Sequence, residues 1–209
     1  MQVIVTTRIH PVTEAIERFQ AMDHWHLIVV AVVDDDNIPY EGWGADLLVG
    51  RDVEANYYVT DLPAFDPVGA TNERALWHRG YPLPLVARRT YPTPQKRLVR
   101  ADIQADFWDG DPDVDAVCRL EHQPQCRFDP RCFPIAGNKM SPFNSQNTFL
   151  RAAVLRDYFL FPHVGRMDDI WAAYSGQAQG FRVVYGKASV YQRRNEHDLI
   201  QDMKGEYLG

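Results

Sequence analysis

The sequence predicts an α/β fold in which a mixed, mainly parallel sheet is flanked by helices. Residues 3–7 and 27–30 are short runs rich in valine and isoleucine, which is typical of strands. Between them, apolar residues recur at helical spacing over residues 15–22. A well-patterned helix at 168–179 is followed by a strand at 181–185. Strands that alternate with helices indicate an α/β sheet, because parallel strands need a crossover connection.

Length and composition indicate a single domain over residues 1–209. Hydrophobic residues make up 45% of the chain, enough for a sizeable core. The formal net charge of −6 argues against nucleic acid as a partner, because phosphate backbones are held by clustered Lys and Arg. No apolar run approaches the ~18 residues of a membrane helix, and the first ten residues resemble a strand rather than a signal peptide. The sequence is therefore expected to contain no membrane span, and its odd number of cysteines, three, favours the reducing cytoplasm. A homo-oligomer is a further possibility.

The middle of the chain is predicted to be poor in regular structure. Residues 38–94 are rich in Pro, Gly, Asp and aromatics, which indicates loops with short strands at 47–49 and 57–59. Residues 102–120 are expected to be partly helical, with Asp113 as the N-cap of the final turns.

The last third of the chain is predicted to contain most of the helices. A loop at 133–146 precedes a helix at 149–155. The helix at 168–179 is expected to stop at Gly180, and a closing helix covers 198–207.

Residues 27–33 form an apolar run that leads directly into three aspartates, with no room for a crossover helix. Either this run is one strand, or a connecting segment is absent or mobile at the 30/31 junction.

Asp34, Asp35 and Asp36 are the clearest chemical signal in the sequence. They follow an apolar strand, and ligands of α/β folds bind at the carboxyl ends of strands. Adjacent carboxylates repel one another unless a cation joins them, and Mg²⁺ or Mn²⁺ prefers such oxygen ligands. The alternative is a solvated acidic turn.

A second candidate group is Arg166, Asp168 and Asp169, which surround a predicted helix start. The arginine suits a phosphate, and a carboxylate here suits a general base. The alternative for both aspartates is helix capping, since acidic residues are favourable at a helix N-terminus.

Asn144, Gln146 and Asn147 belong to a third group, a run of amide and hydroxyl side chains at residues 141–148. Each amide both donates and accepts, which suits a hydroxyl-rich ligand such as a sugar. A turn followed by a helix cap is the alternative.

Four short strings resemble, in order, those of the reversibly glycosylated polypeptides, the UDP-arabinopyranose mutases of plants. They are DDD at 34–36, RGYP at 79–82, GRMDDIW at 165–171 and KGEY at 204–207. In that family the strings look like DDD, RGYP, GRYDDMW and KKEY. The blocks DLPAFDP at 61–67 and SPFNSQNT at 141–148 look more like the STELLO-type glycosyltransferase-like proteins. The resemblance spans nearly the whole chain.

This resemblance implies a Rossmann-like, type-A glycosyltransferase fold that binds a nucleotide-diphosphate sugar with Mn²⁺ or Mg²⁺. It implies a metal and diphosphate site at Asp34, Asp35 and Asp36, and it places Asp168 and Asp169 near the transferred sugar. It also implies a segment of several tens of residues between the second strand and the aspartates, which this sequence lacks.

Arg79 matches the arginine that becomes glycosylated in the mutases. Their second arginine lies seven positions later, where this chain has Val86, and that difference argues against mutase chemistry. Thr6, Thr7 and Arg8, at the end of the first strand, are expected near the nucleotide.

The leading hypothesis is therefore a metal-dependent transferase that moves a sugar from a nucleotide diphosphate to an unknown acceptor, a glycan or a protein. The alternatives are a non-catalytic or degenerate nucleotide-sugar-binding subunit, a sugar-nucleotide mutase and a metal-dependent phosphohydrolase. The short region before Asp34 favours the degenerate subunit. A phosphohydrolase does not predict the amide-rich run.

Cys118, His122, Cys126 and Cys132 have types of side chain that bind zinc. Their spacing matches no usual zinc finger, and cysteine is also one of the residues most often buried. We expect buried thiols and no stoichiometric zinc.

Overall fold

A computed structural model describes residues 3–5, 29–33, 36–158 and 161–209. Nine strands are formed by these residues: β1 Val3–Val5, β2 Val29–Val33, β3 Asn37–Pro39, β4 Asp52–Tyr58, β5 Gln95–Arg100, β6 Ile103–Gly110, β7 Ile135–Gly137, β8 Asn147–Arg151 and β9 Val183–Gln192. Three α-helices are described: α1 Ala116–His122, α2 Asp168–Ala178 and α3 Leu199–Leu208. Short 3₁₀ helices lie at Leu83–Arg88, Pro130–Cys132, Val154–Arg156 and Pro162–Met167. No described helix is both long and apolar enough to cross a bilayer.

All nine strands belong to one mixed sheet, so the predicted α/β class is confirmed. The order is β1-β2-β8-β6-β9-β7-β4-β5, and β3 pairs with β9. Parallel pairing joins β1 to β2, β4 to β7 and β6 to β9, whereas the other pairings are antiparallel. The sequence predicts a mainly parallel sheet, and this detail is wrong, because most pairings among the described strands are antiparallel. Few helices separate the strands between β3 and β8, and parallel pairing needs such crossovers.

Strand β2 runs without interruption through the 30/31 junction. Val30 pairs with Leu150 and Ala31 with Phe149. On its other side β2 pairs in parallel with β1, with Val3 opposite Val30. This geometry agrees with a strand–crossover–strand opening, although the predicted helix at 15–22 lies outside the described residues.

The main core lies on one face of β6. Ile103, Ala105 and Phe107 are buried there, as the two-residue period of a strand requires. Helix α2 packs on the same face, where a Cβ on its Gly176 would lie 3.8 Å from Cδ1 of Ile103. Complete burial of a side chain such as Phe107 contributes about 2–3 kcal/mol of hydrophobic free energy.

The prediction of a helix at 149–155 is wrong. Residues Asn147–Arg151 form strand β8, and only a 3₁₀ turn follows at Val154–Arg156. β8 lies between β2 and β6, so Phe149 and Leu150 are both fully buried although they point to opposite faces. A short apolar run of this kind does not distinguish a central strand from a buried helix.

Two other details predicted for the middle of the chain are wrong. The expected helix forms within residues 102–120 as α1, and residues 103–110 form β6, but the N-cap of α1 is Asp115 rather than Asp113. Residues 47–49 form no strand. There the side-chain oxygen Oε1 of Gln104 accepts hydrogen bonds from the amides of Leu48 and Val49, which replaces the ladder that a strand would supply.

The patterned elements of the C-terminal half are confirmed with small shifts. Helix α2 covers Asp168–Ala178, and Gly180 adopts a positive φ of 94° just beyond it. The strand expected at 181–185 begins at Val183 and continues to Gln192. The closing helix α3 begins after Asp198, whose carboxylate accepts from the amides of Ile200 and Gln201.

Candidate functional site

A polar cavity of about 270 Å³ lies beside the carboxyl end of β2, and we call it the site cavity. Its walls carry four carboxylates and three guanidinium groups. The lining residues are Asp36, Arg79, Asp113, Ser145, Gln146, Arg166, Asp168, Asp169, Arg194 and His197.

Antiparallel pairing of β2 with β8 brings Asp36 and the amide-rich run together. The ladder ends at Val33 opposite Asn147, so the carboxyl end of β2 lies beside the run at 141–148. The side chain of Asn37 donates to the carbonyl of Gln146 at 3.1 Å. Asp36 and Gln146 thus line one cavity although 110 positions separate them in sequence.

Arg79 links three segments of the chain at the base of the site cavity. Its Nη1 and Nη2 donate to the two carboxylate oxygens of Asp169 at 3.0 and 2.9 Å, and Nε donates to Asp113 at 2.9 Å. Nη1 also donates to the carbonyl of Arg166 at 2.6 Å. Only 4% of Arg79 is exposed. Its guanidinium is therefore a buried structural link between the loop at 79, the end of β6 and the start of α2.

The charges beneath the cavity stabilise one another. Burial lowers the pKa of Arg79, but Asp113 and Asp169 outweigh burial and raise this pKa above its usual value. Burial raises the pKa of Asp113, but Arg79 and Arg194 outweigh it and hold this pKa well below the usual range. Asp113 therefore remains a carboxylate, and Arg194 Nη2 donates to it at 2.9 Å.

Asp168 and Asp169 differ in surroundings although they are adjacent. Asp169 is 5% exposed, and beyond Arg79 it also accepts from the amide of Ser145 at 3.2 Å. Asp168 is partly exposed, and among the described residues the hydrogen bond to its carboxylate comes from the Asp169 amide at 2.7 Å. Burial, with a smaller effect of the Asp169 charge, raises the pKa of Asp168. Of the two, Asp168 has the environment of a general base.

Helix α3 holds Arg166 at the cavity wall. Arg166 Nε donates to Glu206 at 2.8 Å, and Nη1 lies 3.2 Å from Asp202. The other carboxylate oxygen of Glu206 accepts from the amide of Ala116 at the start of α1. His197 Nδ1 lies 3.0 Å from Asp202, while partial burial and the neighbouring Arg194 lower the pKa of His197.

Gly80 and Gly205 allow the strings at 79–82 and 204–207 to pack closely against the string at 165–171. A Cβ on Gly80, where φ is 84°, would lie 2.3 Å from Cγ2 of Ile170 on α2. A Cβ on Gly205 would lie 3.2 Å from the Cβ of Arg166. The strings at 79–82, 165–171 and 204–207 therefore meet around the site cavity.

The structure brings together Asp36, Arg79, Gln146, Arg166, Asp168 and Asp169 from the residues predicted for the site. Asn144 lies just behind them and donates to Asp113 at 2.8 Å. Asn147 does not line this cavity, because its amide accepts from Trp43 and donates to the carbonyl of Phe107. Thr6, Thr7, Arg8, Asp34 and Asp35 lie outside the described residues.

The sequence did not mark Asp113, Arg194 or His197 as site residues, whereas Ser145 belongs to the amide- and hydroxyl-rich run at 141–148. Asp113 was interpreted as a helix cap, and it lies three residues after the end of β6, the position where an α/β sheet places ligand-binding groups. No local signal marked Arg194 or His197. They reach the cavity because β9 ends beside β3.

In the part of the chain that the structure describes, no group of three or more His, Cys, Asp or Glu side chains has the arrangement to hold a metal ion. Cys118 and Cys126 are buried thiols, and burial raises the pKa of each to about 12. The ring of His122 packs edge-on against Trp77.

No protein-family model matches this chain, and no curated protein matches it significantly. The residues and charges of the site cavity are therefore the basis for a functional proposal.

Proposed function

We propose that this protein binds a nucleotide-diphosphate sugar and transfers the sugar to an acceptor hydroxyl with the help of Mn²⁺ or Mg²⁺. One observation carries the proposal. Asp36, which follows β2, and Asp168, which begins α2, line the same cavity beside Gln146. A metal-dependent sugar transferase can use these three kinds of group: a carboxylate for the cation on the diphosphate, a base for the acceptor and hydrogen-bonding side chains for sugar hydroxyls.

The donor set suits a hard cation that is shared with phosphate. Mg²⁺ and Mn²⁺ are commonly bound through one or two carboxylates, with waters and phosphate oxygens as the other ligands. Asp36 would hold the cation together with Asp34 and Asp35. When bound, the cation neutralises the charge that develops on the departing diphosphate.

Asp168 is the proposed base. Its carboxylate would accept the proton of the acceptor hydroxyl while that oxygen bonds to the anomeric carbon and the bond to the diphosphate breaks. The raised pKa of Asp168 suits this task. Asp169 has both oxygens engaged by Arg79, so it positions the start of α2 rather than moving a proton.

The volume of the cavity limits what it can contain. About 270 Å³ lies slightly below the range of complete small-molecule pockets, roughly 300–1,000 Å³. The cavity therefore suits the sugar and the adjoining phosphate. The nucleoside would contact residues beyond this cavity, and Thr6, Thr7 and Arg8 remain the candidates.

The four strings that resemble the UDP-arabinopyranose mutases support the same proposal. One residue or more of each string contacts the site cavity or a side chain that lines it: Asp36, Arg79, Asp168 and Glu206. The buried position of Arg79 favours transfer over mutase chemistry, because an arginine that becomes glycosylated has to reach the sugar.

The proposal can be tested by measuring the melting temperature with a panel of nucleotide-diphosphate sugars, with and without Mn²⁺. We expect at least one donor to raise the melting temperature in a Mn²⁺-dependent manner, since a ligand that binds only the folded state stabilises it. Asp36→Asn should abolish that shift while the far-UV circular dichroism spectrum is unchanged. Glu121→Gln, which removes one negative charge from α1 away from the cavity, should behave as wild type.

Release of the nucleotide diphosphate, measured with glycan and protein acceptors, completes the test. Turnover that requires Mn²⁺ and Asp168 supports a transferase. If a donor binds in a Mn²⁺-dependent manner but no donor is turned over, the protein is a non-catalytic nucleotide-sugar-binding subunit instead. If no donor binds in a Mn²⁺-dependent manner, both functions are excluded.

A further inference from the structure

A second, larger cavity of about 550 Å³ lies on the other face of the sheet. Gln104 and Asp106 of β6 line it, and they alternate with Ala105 and Phe107, which face the main core. The remaining walls come from the loop at residues 40–48, the segment 130–134 and β9 residues 186–189. The volume lies within the range of small-molecule sites.

The carboxylate of Asp106 is held in a defined orientation in this second cavity. Its Oδ1 accepts from Gln104 Nε2 and its Oδ2 accepts from Ser189 Oγ, both at 2.8 Å. Gln104 is fixed in turn, because its Oε1 accepts from the amides of Leu48 and Val49. One donor on each oxygen leaves acceptor capacity on a carboxylate, which has about four lone-pair sites.

A β-bulge and a glycine build this arrangement. Asp106 pairs with Gly186 and Trp108 pairs with Val190, so three residues of β9 oppose one residue of β6. The bulge brings Ser189 to Asp106, and bulges often re-aim side chains near functional sites. A Cβ on Gly186 would lie 1.9 Å from Asp106 Oδ1, so the carboxylate occupies space that only glycine leaves.

The charges and walls of the second cavity indicate its ligand. Among the described residues that line it, three are acidic, Glu41, Asp46 and Asp106, and one is basic, Lys187, which pairs with Asp46 at 2.9 Å. The negative balance disfavours an anion and favours a cation. The apolar part of the wall includes Trp43, Phe133 and Pro134.

We propose that this second cavity binds a small organic ammonium ion, with its nitrogen on the carboxylate of Asp106 and its apolar body against Phe133 and Pro134. Such a ligand satisfies the remaining acceptor capacity of the carboxylate and removes apolar surface from water at the same time. This proposal does not depend on the proposed transferase function, because the two cavities share no described residue.

The pH dependence of binding follows from the surroundings of Asp106. Burial raises the pKa of Asp106 to about 6; Lys187 opposes this effect and Asp46 adds to it. Glu41 and Tyr40 on the loop are the other titratable groups of the lining. An ammonium ligand prefers the ionised carboxylate, so affinity should increase about tenfold between about pH 5 and pH 7.

Three ring-matched probes test the charge preference: benzylammonium, benzyl alcohol and benzoate. Isothermal titration or ligand-observed NMR should detect benzylammonium, weaker binding of benzyl alcohol and no binding of benzoate. Asp106→Asn should weaken benzylammonium binding by about tenfold or more, because it removes a charge-assisted hydrogen bond. Glu121→Gln, which removes the same charge from α1, should leave binding unchanged.

If Asp106→Asn does not fold, measurements on the wild-type protein still test whether the second cavity binds an ammonium ion. Benzoate binding as tight as benzylammonium binding, or affinity independent of pH between about pH 5 and pH 7, would overturn the proposal. Unchanged affinity in a folded Asp106→Asn protein would do the same.

Discussion

At the scale of single residues, Asp168 and Asp169 show how neighbours in sequence come to lie in different surroundings. Asp169 is buried against Arg79 with both oxygens engaged, whereas Asp168 is partly exposed in the site cavity. Removal of one partner from a buried ion pair leaves the other charge uncompensated. Substitution at the two positions should therefore affect different properties.

Asp168→Asn is expected to lower kcat and kcat/KM together, by roughly 10²–10⁴-fold, as for a lost general base. Its stability should remain within about 1 kcal/mol of wild type, because asparagine still accepts at a helix start. Steady-state kinetics with a donor identified by the panel, together with urea unfolding, measures both quantities.

Asp169→Asn is expected to destabilise the fold by about 3–5 kcal/mol, since Arg79 keeps its charge in a buried place. Urea unfolding measures this loss. Near-normal stability of Asp169→Asn would contradict the structural role assigned to the Arg79 pair, and near-normal turnover of Asp168→Asn would contradict the role as a base that we propose for Asp168.

At the scale of elements, the packing of the loop at 79–82 on α2 depends on Gly80. Gly80→Ala introduces a methyl group 2.3 Å from Ile170 and leaves alanine at a positive φ. Together the two effects should cost about 2–4 kcal/mol. The double mutant Gly80→Ala/Ile170→Ala should lose less stability than the two single mutants lose in sum, because alanine at 170 lacks the Cγ2 atom that the new methyl group meets. Strict additivity in this double-mutant cycle would show that the two residues do not contact each other.

Helix α3 is docked mainly through polar contacts. Glu206 bonds Arg166 and the Ala116 amide, while Ile200, Tyr207 and Leu208 are exposed. Glu206→Gln should weaken this docking by about 1–3 kcal/mol, since hydrogen bonds to charged groups contribute about that much.

Amide hydrogen exchange of α3 measures this effect locally. Exchange over residues 199–208 should accelerate in Glu206→Gln, with β6 unchanged as the internal reference. Uniform acceleration over both elements would indicate a global loss of stability instead.

At the scale of the whole molecule, raised carboxyl pKa values make stability depend on pH. Burial raises the pKa of Asp106 to about 6, whereas an unfolded aspartate titrates near about 3.9. The folded state therefore binds the proton more tightly. This contribution to stability is fully present below about pH 4 and is lost as the pH rises through about 6.

The free energy of unfolding of the wild type, relative to Asp106→Asn, should fall by at most about 3 kcal/mol between about pH 4 and pH 7. Urea unfolding at several pH values in buffers without amines measures this difference. A difference that stays constant over this range would contradict the raised pKa of Asp106. Amine-free buffers matter because an ammonium ion that binds the second cavity would itself stabilise the folded state.

Much of the fold could be predicted from local patterns. Strands β1 and β2, helix α2 with Gly180 at its end, and helix α3 behind its Asp198 cap all follow from periodicity and capping residues. These signals are local, since each depends on residues within one or two turns of one another.

The candidate site could be predicted in part. The sequence identified Asp36, Gln146, Arg166 and Asp168 as chemically apt residue types, and they line one cavity. It did not identify Asp113 or Arg194, because their position depends on where β6 and β9 end.

Only the tertiary structure decided how the strands pair and which charges meet. Residues 149–155 looked helical, but pairing with β2 and β6 on both sides makes Asn147–Arg151 a strand. The roles of Asp168 and Asp169 were equivalent in sequence, and Arg79, some ninety positions away, distinguishes them. The physical reason is the same in both cases: hydrogen bonds and ion pairs between distant segments outweigh local propensity, and their free energy depends on burial that only the folded chain creates.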